Sequence, residues 1–131
     1  MNNNYLPDEE FEQFLESIGG VENVYFSAKG PIKSRRFFGV GNGWLGLIKT
    51  LIEKSIGAGW NKQTTQVKEK FGGLRFYING APNEVHNLIS EAESASQEIC
   101  EVCGNLGKLQ TTNTGWWKTL CEEHIQKENN K

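Results

Sequence analysis

Cys100-Glu101-Val102-Cys103-Gly104 and Cys121-Glu122-Glu123-His124 decide how the last quarter of this chain folds. Each stretch is a pair of soft ligands three residues apart, and 17 residues separate Cys103 from Cys121. Two such pairs complete the closed tetrahedral shell that structural zinc prefers. The set uses all three cysteines and one of the two histidines. Around the ligands, the pattern predicts a tight knuckle turn at 100–104, with Gly104 supplying permissive backbone. A hairpin over 106–119 turns at Thr112-Asn113-Thr114-Gly115, and a short final helix capped by Thr119 carries Cys121 and His124 on one face. Knuckle, hairpin and helix in that order resemble the treble-clef class of zinc fingers. Catalytic zinc keeps one position open for water or substrate, whereas four good ligands close this one. Redox-active thiols are the other alternative. Trp116 and Trp117 sit beside the last ligands, where aromatic bulk suits the core of a small finger and of its contact with the rest of the chain. A stacking platform for a base is the competing reading of the pair.

Upstream, the chain reads as a single small α+β body. Of its 131 residues, 37% are hydrophobic and 11% aromatic, enough for one core. Phe11, Phe14, Leu15 and Ile18 recur at helical spacing behind an acidic first turn, and Gly19-Gly20 ends that helix. Short strands are predicted at 24–26 and 36–38, around Lys29-Gly30-Pro31. A second helix over 43–56 presents Trp44, Leu47, Ile48, Leu51, Ile52 and Ile56, with Asn42 as its N-cap and Gly57 beyond its end. A third helix follows Pro82 and delivers the chain to Cys100. The expected division is a body of residues 1–98, with a small antiparallel sheet and three packed helices, and a finger of residues 99–131 docked on it.

Between the second and third helices the period changes to two. Residues 65–78 flank Gly72-Gly73, which reads as a two-residue hairpin turn, in a hairpin over 66–79, pairing Phe71 with Leu74 and Lys70 with Arg75. Val67, Phe71, Leu74, Phe76 and Ile78 then face the core, with Glu69 anomalous among them. Lys68, Lys70, Arg75 and Tyr77 share the opposite face. Like charges opposite each other cost stability unless an anion or carboxylate lies between them. A solvated polar face is the alternative. Lys33-Ser34-Arg35-Arg36 leads through Phe37-Phe38 into Gly39-Val40-Gly41-Asn42-Gly43-Trp44. Its glycines match no phosphate-binding fingerprint and read first as a flexible turn.

The net charge of −2 excludes a bulk polycation that coats nucleic acid. No stretch approaches the roughly 20 apolar residues of a membrane span, and no secretory signal is visible. The three cysteines fit a reducing compartment, so a cytoplasmic location is expected. No nucleophile constellation stands out, and His86 reads as a surface or structural histidine.

Gly43-Trp44, the string Gln66-Val67-Lys68-Glu69-Lys70-Phe71-Gly72-Gly73-Leu74-Arg75-Phe76-Tyr77 and the finger with Gly115-Trp116-Trp117 are similar to a family of small, largely uncharacterised zinc-finger proteins of phages, prophages and bacteria. The likeness covers about residues 41–124. It implies accessory or anti-defence roles, hence binding or inhibition rather than catalysis, and it carries over no catalytic residue.

These observations point to a non-enzymatic binding protein. Its cationic hairpin face engages a phosphorylated ligand, either a nucleotide-like signal molecule or nucleic acid. Lys68, Lys70 and Arg75, with Arg35 or Arg36, hold phosphate, while Tyr77 or a tryptophan such as Trp44 stacks. The alternative is an inhibitor or adaptor that contacts a host protein through the finger and its tryptophans.

Overall fold

A computed structural model describes residues 2–23, 25 and 30–131. Helix α1 (Asp8–Ser17) follows Pro7 and opens with Asp8, Glu9 and Glu10, whose charges suit the positive end of the helix. It buries Phe11, Phe14 and Leu15 and ends before Gly19 and Gly20, both at positive φ. Helix α2 (Leu45–Gly57) buries Leu45, Ile48, Leu51 and Ile52. Helix α3 (Asn83–Ser96) buries Val85, Ile89 and Ala92, so its apolar stripe is the one its spacing implies. Trp44, Phe11, Phe38 and Leu74 lie in the same core, with the Phe11 and Phe38 rings edge to face at 4.9 Å.

The body sheet is mixed, not antiparallel as the sequence suggested. Strand β3 (Gln63–Lys70) pairs antiparallel with β4 (Gly73–Ile78) on one edge. Two-residue strands β1 (Glu22–Asn23) and β2 (Phe38–Gly39) both run parallel to β3. They meet it at Gln63–Thr64 and Val67–Lys68, and therefore share its other edge in tandem. The reason is the long excursion through α2, which returns the chain in the direction it left. Such brief non-local strands carry no periodic signal. The strand expected at 24–26 falls on Val24 and Phe26, outside the described residues. The one expected at 36–38 is a 3-10 turn at Arg35–Phe37 followed by β2.

The hairpin turn is also displaced by one residue, which shifts the pairing by two. Lys70 pairs with Gly73, Lys68 with Arg75, Val67 with Phe76, and Gln66 with Tyr77. The two turn residues are Phe71 and Gly72, at φ 53° and 83°, the doubly left-handed geometry of a tight hairpin. Glu69 explains the choice, because its carboxylate accepts the Gly72 N–H at 2.8 Å and so caps the turn from the core side. Phe71, expected inside, is 68% exposed. The outer edge of β4 is closed by α3. Ser96 Oγ accepts the Leu74 N–H and Glu93 Oε2 the Phe76 N–H, both at 2.9 Å, which removes the edge as a template for aggregation.

The finger comprises β5 (Lys108–Thr111), β6 (Trp117–Leu120) and α4 (Glu122–Asn129). Several hydrogen bonds tie it to the body. The Gly43 N–H donates to Glu101 O at 2.7 Å, and the Gly41 N–H to the Glu101 carboxylate at 2.9 Å. Thr119 Oγ1 donates to Gly72 O at 2.7 Å rather than capping a helix. The N-terminal strap reaches over the knuckle, with Asn4 Nδ2 donating to Gly104 O. Gly43 is required by this docking, since a Cβ there would collide with the Cys100 carbonyl oxygen and the Glu101 backbone. Asn42 caps nothing; its amide spans Leu6 O and Asp8 Oδ1 at 2.9 and 2.7 Å. Gly57 is the last residue of α2 rather than a stop beyond it. The Gly43→Ala variant is expected to lose about 1–3 kcal/mol, read as a lower midpoint in thermal unfolding.

Candidate metal centre and cationic face

The knuckle positions the first ligand pair through its own backbone. The Cys100 N–H donates to Asn105 O and the Gly104 N–H returns to Cys100 O, both at 2.8 Å, while Gly104 adopts φ 81°. The second pair sits at the start of α4, with Cys121 in the capping position and His124 in the first turn. One ligand atom from each of Cys100, Cys103, Cys121 and His124 lies within 4.8 Å of all the others. Cys103 Sγ and Cys121 Sγ are 3.8 Å apart, and His124 Nδ1 lies 3.7 Å from Cys100 Sγ and 3.1 Å from Cys121 Sγ. A tetrahedral cation with metal–sulfur bonds of about 2.3 Å needs sulfurs about 3.8 Å apart. The donor set therefore fits one small divalent ion with little rearrangement.

The electrostatics without a cation are uncomfortable. Burial pushes the Cys103 thiol up to about 11, reinforced by Cys100 and Cys121 beside it. Burial also opposes ionisation of Cys100, but backbone groups of Cys121, Cys103 and Val102 outweigh it and bring that thiol below its ordinary value. A central positive charge would compensate the crowd of sulfurs. Glu122 and Glu123 are exposed and bonded along α4 to Gln126 and Lys127. Leu120 and Ile125 pack beside Cys100 as a separate small core.

The second feature is the outer face of the body hairpin. Lys68 and Arg75 are directly opposite each other, Lys70 is two pairs away next to the turn, and Tyr77 lies two pairs the other way, opposite Gln66. The set of residues on this face is the one that alternation implies, although the pairing differs: Arg75 opposes Lys68, not Lys70. Arg75 is half-buried and donates to Leu74 O at 3.0 Å. No carboxylate lies within 4.0 Å of Lys68, Lys70 or Arg75 among the described residues.

Other candidate residues are engaged elsewhere. Arg35 is a staple, donating to Phe38 O at 2.7 Å, Val40 O at 2.6 Å and Asp8 Oδ1 at 3.2 Å. All three guanidinium nitrogens are bonded within the fold and hold the glycine-rich segment in place. Arg36 is exposed and makes no ion pair among the described residues. Trp44 is wholly buried, with its indole N–H on Ile99 O at 2.7 Å, and so presents no ring face to a ligand. The glycine-rich segment is neither flexible turn nor anion loop, because Gly41 and Gly43 abut Glu101. His86 lies on the exposed side of α3.

Trp116 and Trp117 reverse the packing expectation, being 69% and 48% exposed. The finger core is filled instead by Leu120 and Ile125, which left the tryptophans free of that duty. Sequence reasoning also placed Phe71 in the core; the one signal against this was Glu69, whose capping of Gly72 moves the turn.

Elemental analysis after desalting is expected to find one divalent metal per chain in the native protein and a value near zero in Cys103→Ala. No protein family, curated protein or solved structure matches the chain, which leaves its own geometry to carry the functional reading.

Proposed function

We propose that the protein is a non-enzymatic binding protein, braced by a structural zinc ion, that recognises phosphate groups of its ligand through Lys68, Lys70 and Arg75. The observation that carries this reading is the uncompensated charge: three cations on one open sheet face, with no acid in ion-pair range among the described residues. Cross-strand like charges are normally selected against. Retaining Lys68 opposite Arg75 makes physical sense where an anion sits between them. An Arg fork beside Lys is chemistry suited to phosphate oxygens.

Zinc is favoured over other cations by three thiolates and one imidazole at tetrahedral spacing. Knuckle, hairpin and ligand-bearing helix follow in the order of a treble clef, which is a scaffold and names no ligand. With the shell closed by four side chains, zinc supplies folding energy and not a reactive water. The expected role is therefore sequestration or recognition. The resemblance to small phage-type proteins makes an anti-defence role one setting for it.

A second reading has its own observation. Trp116 and Trp117 are exposed on the finger, and paired surface tryptophans are frequent anchors of protein interfaces. Salt separates the two, since phosphate binding weakens steeply with ionic strength and an aromatic-centred contact does not.

Lys68→Ala with Arg75→Ala is expected to abolish binding of ATP, or of an oligonucleotide, in equilibrium titration. Removing a repulsive cross-strand pair should leave the thermal midpoint unchanged or slightly raised. Undiminished binding in the double variant would refute the cationic-face reading.

A further inference from the structure

We infer that the ligand is a single-stranded nucleic acid, laid along a strip from the outer face of β3–β4, across the Phe71–Gly72 turn, to the tryptophans of the finger. This rests on the phosphate reading above and narrows it to one class of polymer.

Continuity is the first observation. Lys70 Nζ stands 5.5 Å from the centre of the Phe71 ring, so cation and aromatic adjoin at the turn. The turn is seated on the finger hairpin, with Gly72 against Leu109 and against the Lys118 backbone. Thr119, whose hydroxyl reaches Gly72 O, alternates with Trp117 along β6. Trp117 therefore leaves the strand on the same, body-facing side, one step beyond the contact. Charge on the body and aromatic surface on the finger thus meet across a buried hydrogen bond rather than a linker.

Exposure is the second. Phe71, Trp116 and Trp117 are 68%, 69% and 48% accessible, and none stacks on another ring among the described residues. Phe71 also holds φ 53°, a left-handed conformation that glycine adopts at lower cost. An exposed phenyl ring kept at that position, with no core contact to repay it, has a use on the surface. Base stacking provides one, at about 1–3 kcal/mol per base.

Shape is the third. Five cavities lie between α2 and α3, around the N-terminal segment, and beside α4. None of these five is lined by Lys68, Lys70, Arg75, Phe71 or Trp117. A free nucleotide needs a concave site that covers most of its surface. An open strip of cations followed by rings suits successive units of a polymer. A duplex keeps its base faces stacked internally, whereas a single strand offers them to side chains.

The test uses the metal-loaded 131-residue chain and fluorescence anisotropy of labelled (dT)20, with a 20-base-pair duplex and ATP as competitors. Expected are binding of (dT)20 with a log–log salt slope of about −2, from some three phosphate contacts at about 0.7 each, and duplex affinity at least tenfold lower. Phe71→Gly is expected to weaken (dT)20 binding about tenfold or more while leaving the thermal midpoint equal or higher, because it relieves the backbone. Trp116→Ala with Trp117→Ala is expected to weaken binding at least as much and to remove quenching of tryptophan emission by the oligonucleotide, since Trp44 and Trp60 are buried. Native affinity in both aromatic variants, or equal competition by duplex, overturns the inference. ATP binding that depends on Lys68 and Arg75 without any (dT)20 binding overturns it and spares the phosphate reading. Binding of neither ligand, with or without salt-insensitive self-association through the tryptophans, overturns both.

Discussion

The contact between the knuckle and the glycine-rich segment fastens the finger to the body. Gly41 and Gly43 donate to the carboxylate and carbonyl of Glu101, one of the two residues between the first two ligands. No side chain fits at Gly43, because the two backbones touch. A loop that packs backbone to backbone gains nothing from hydrophobic burial there. It needs both partners rigid before they meet, or ordering them costs more than two hydrogen bonds return. Arg35 makes one partner rigid by spanning Phe38 O, Val40 O and Asp8. A cation held by the four clustered side chains would make the other rigid, and a finger with only Cys100, Leu120 and Ile125 in its buried apolar core has little else to do so.

That division of labour explains the odd placements around it. Tryptophans beside metal ligands ordinarily pack the finger, yet here the docking to the body does what bulk would have done. Thr119 is consumed by Gly72 and not by the helix, and Asn42 by Leu6 and Asp8 and not by α2. In each case a local capping preference worth about 1 kcal/mol yields to tertiary hydrogen bonds. The surface left over is polarised, with cations on the hairpin face and aromatic rings at and beyond its turn.

Much of this was legible in the chain. The ligands announce themselves by spacing, and α1 and α3 by stripes that α-helical geometry makes unambiguous. The members of the cationic face follow from alternation, which survives because moving the turn by one position shifts the pairing by two and keeps every side chain on its face. The register itself was hidden. Gly72-Gly73 is the obvious turn by composition, and only the side chain of Glu69, folded back onto Gly72, selects Phe71-Gly72 instead. The parallel strands β1 and β2 are two residues each and owe their pairing to distant β3, so no local pattern encodes them. Arg35 and Trp44 read as site residues because charge and aromaticity look alike whether they serve a ligand or the fold. Their partners, carbonyl oxygens of Phe38, Val40 and Ile99, are invisible to sequence.

Hydrogen exchange at the Gly43 amide tests the central claim most directly, since this N–H donates to Glu101 and reports whether metal, knuckle and body act as one unit. The account predicts strong protection in the metal-loaded protein. Chelation should abolish that protection while the β3–β4 amides keep theirs. Equal protection of Gly43 before and after the metal is stripped would contradict it.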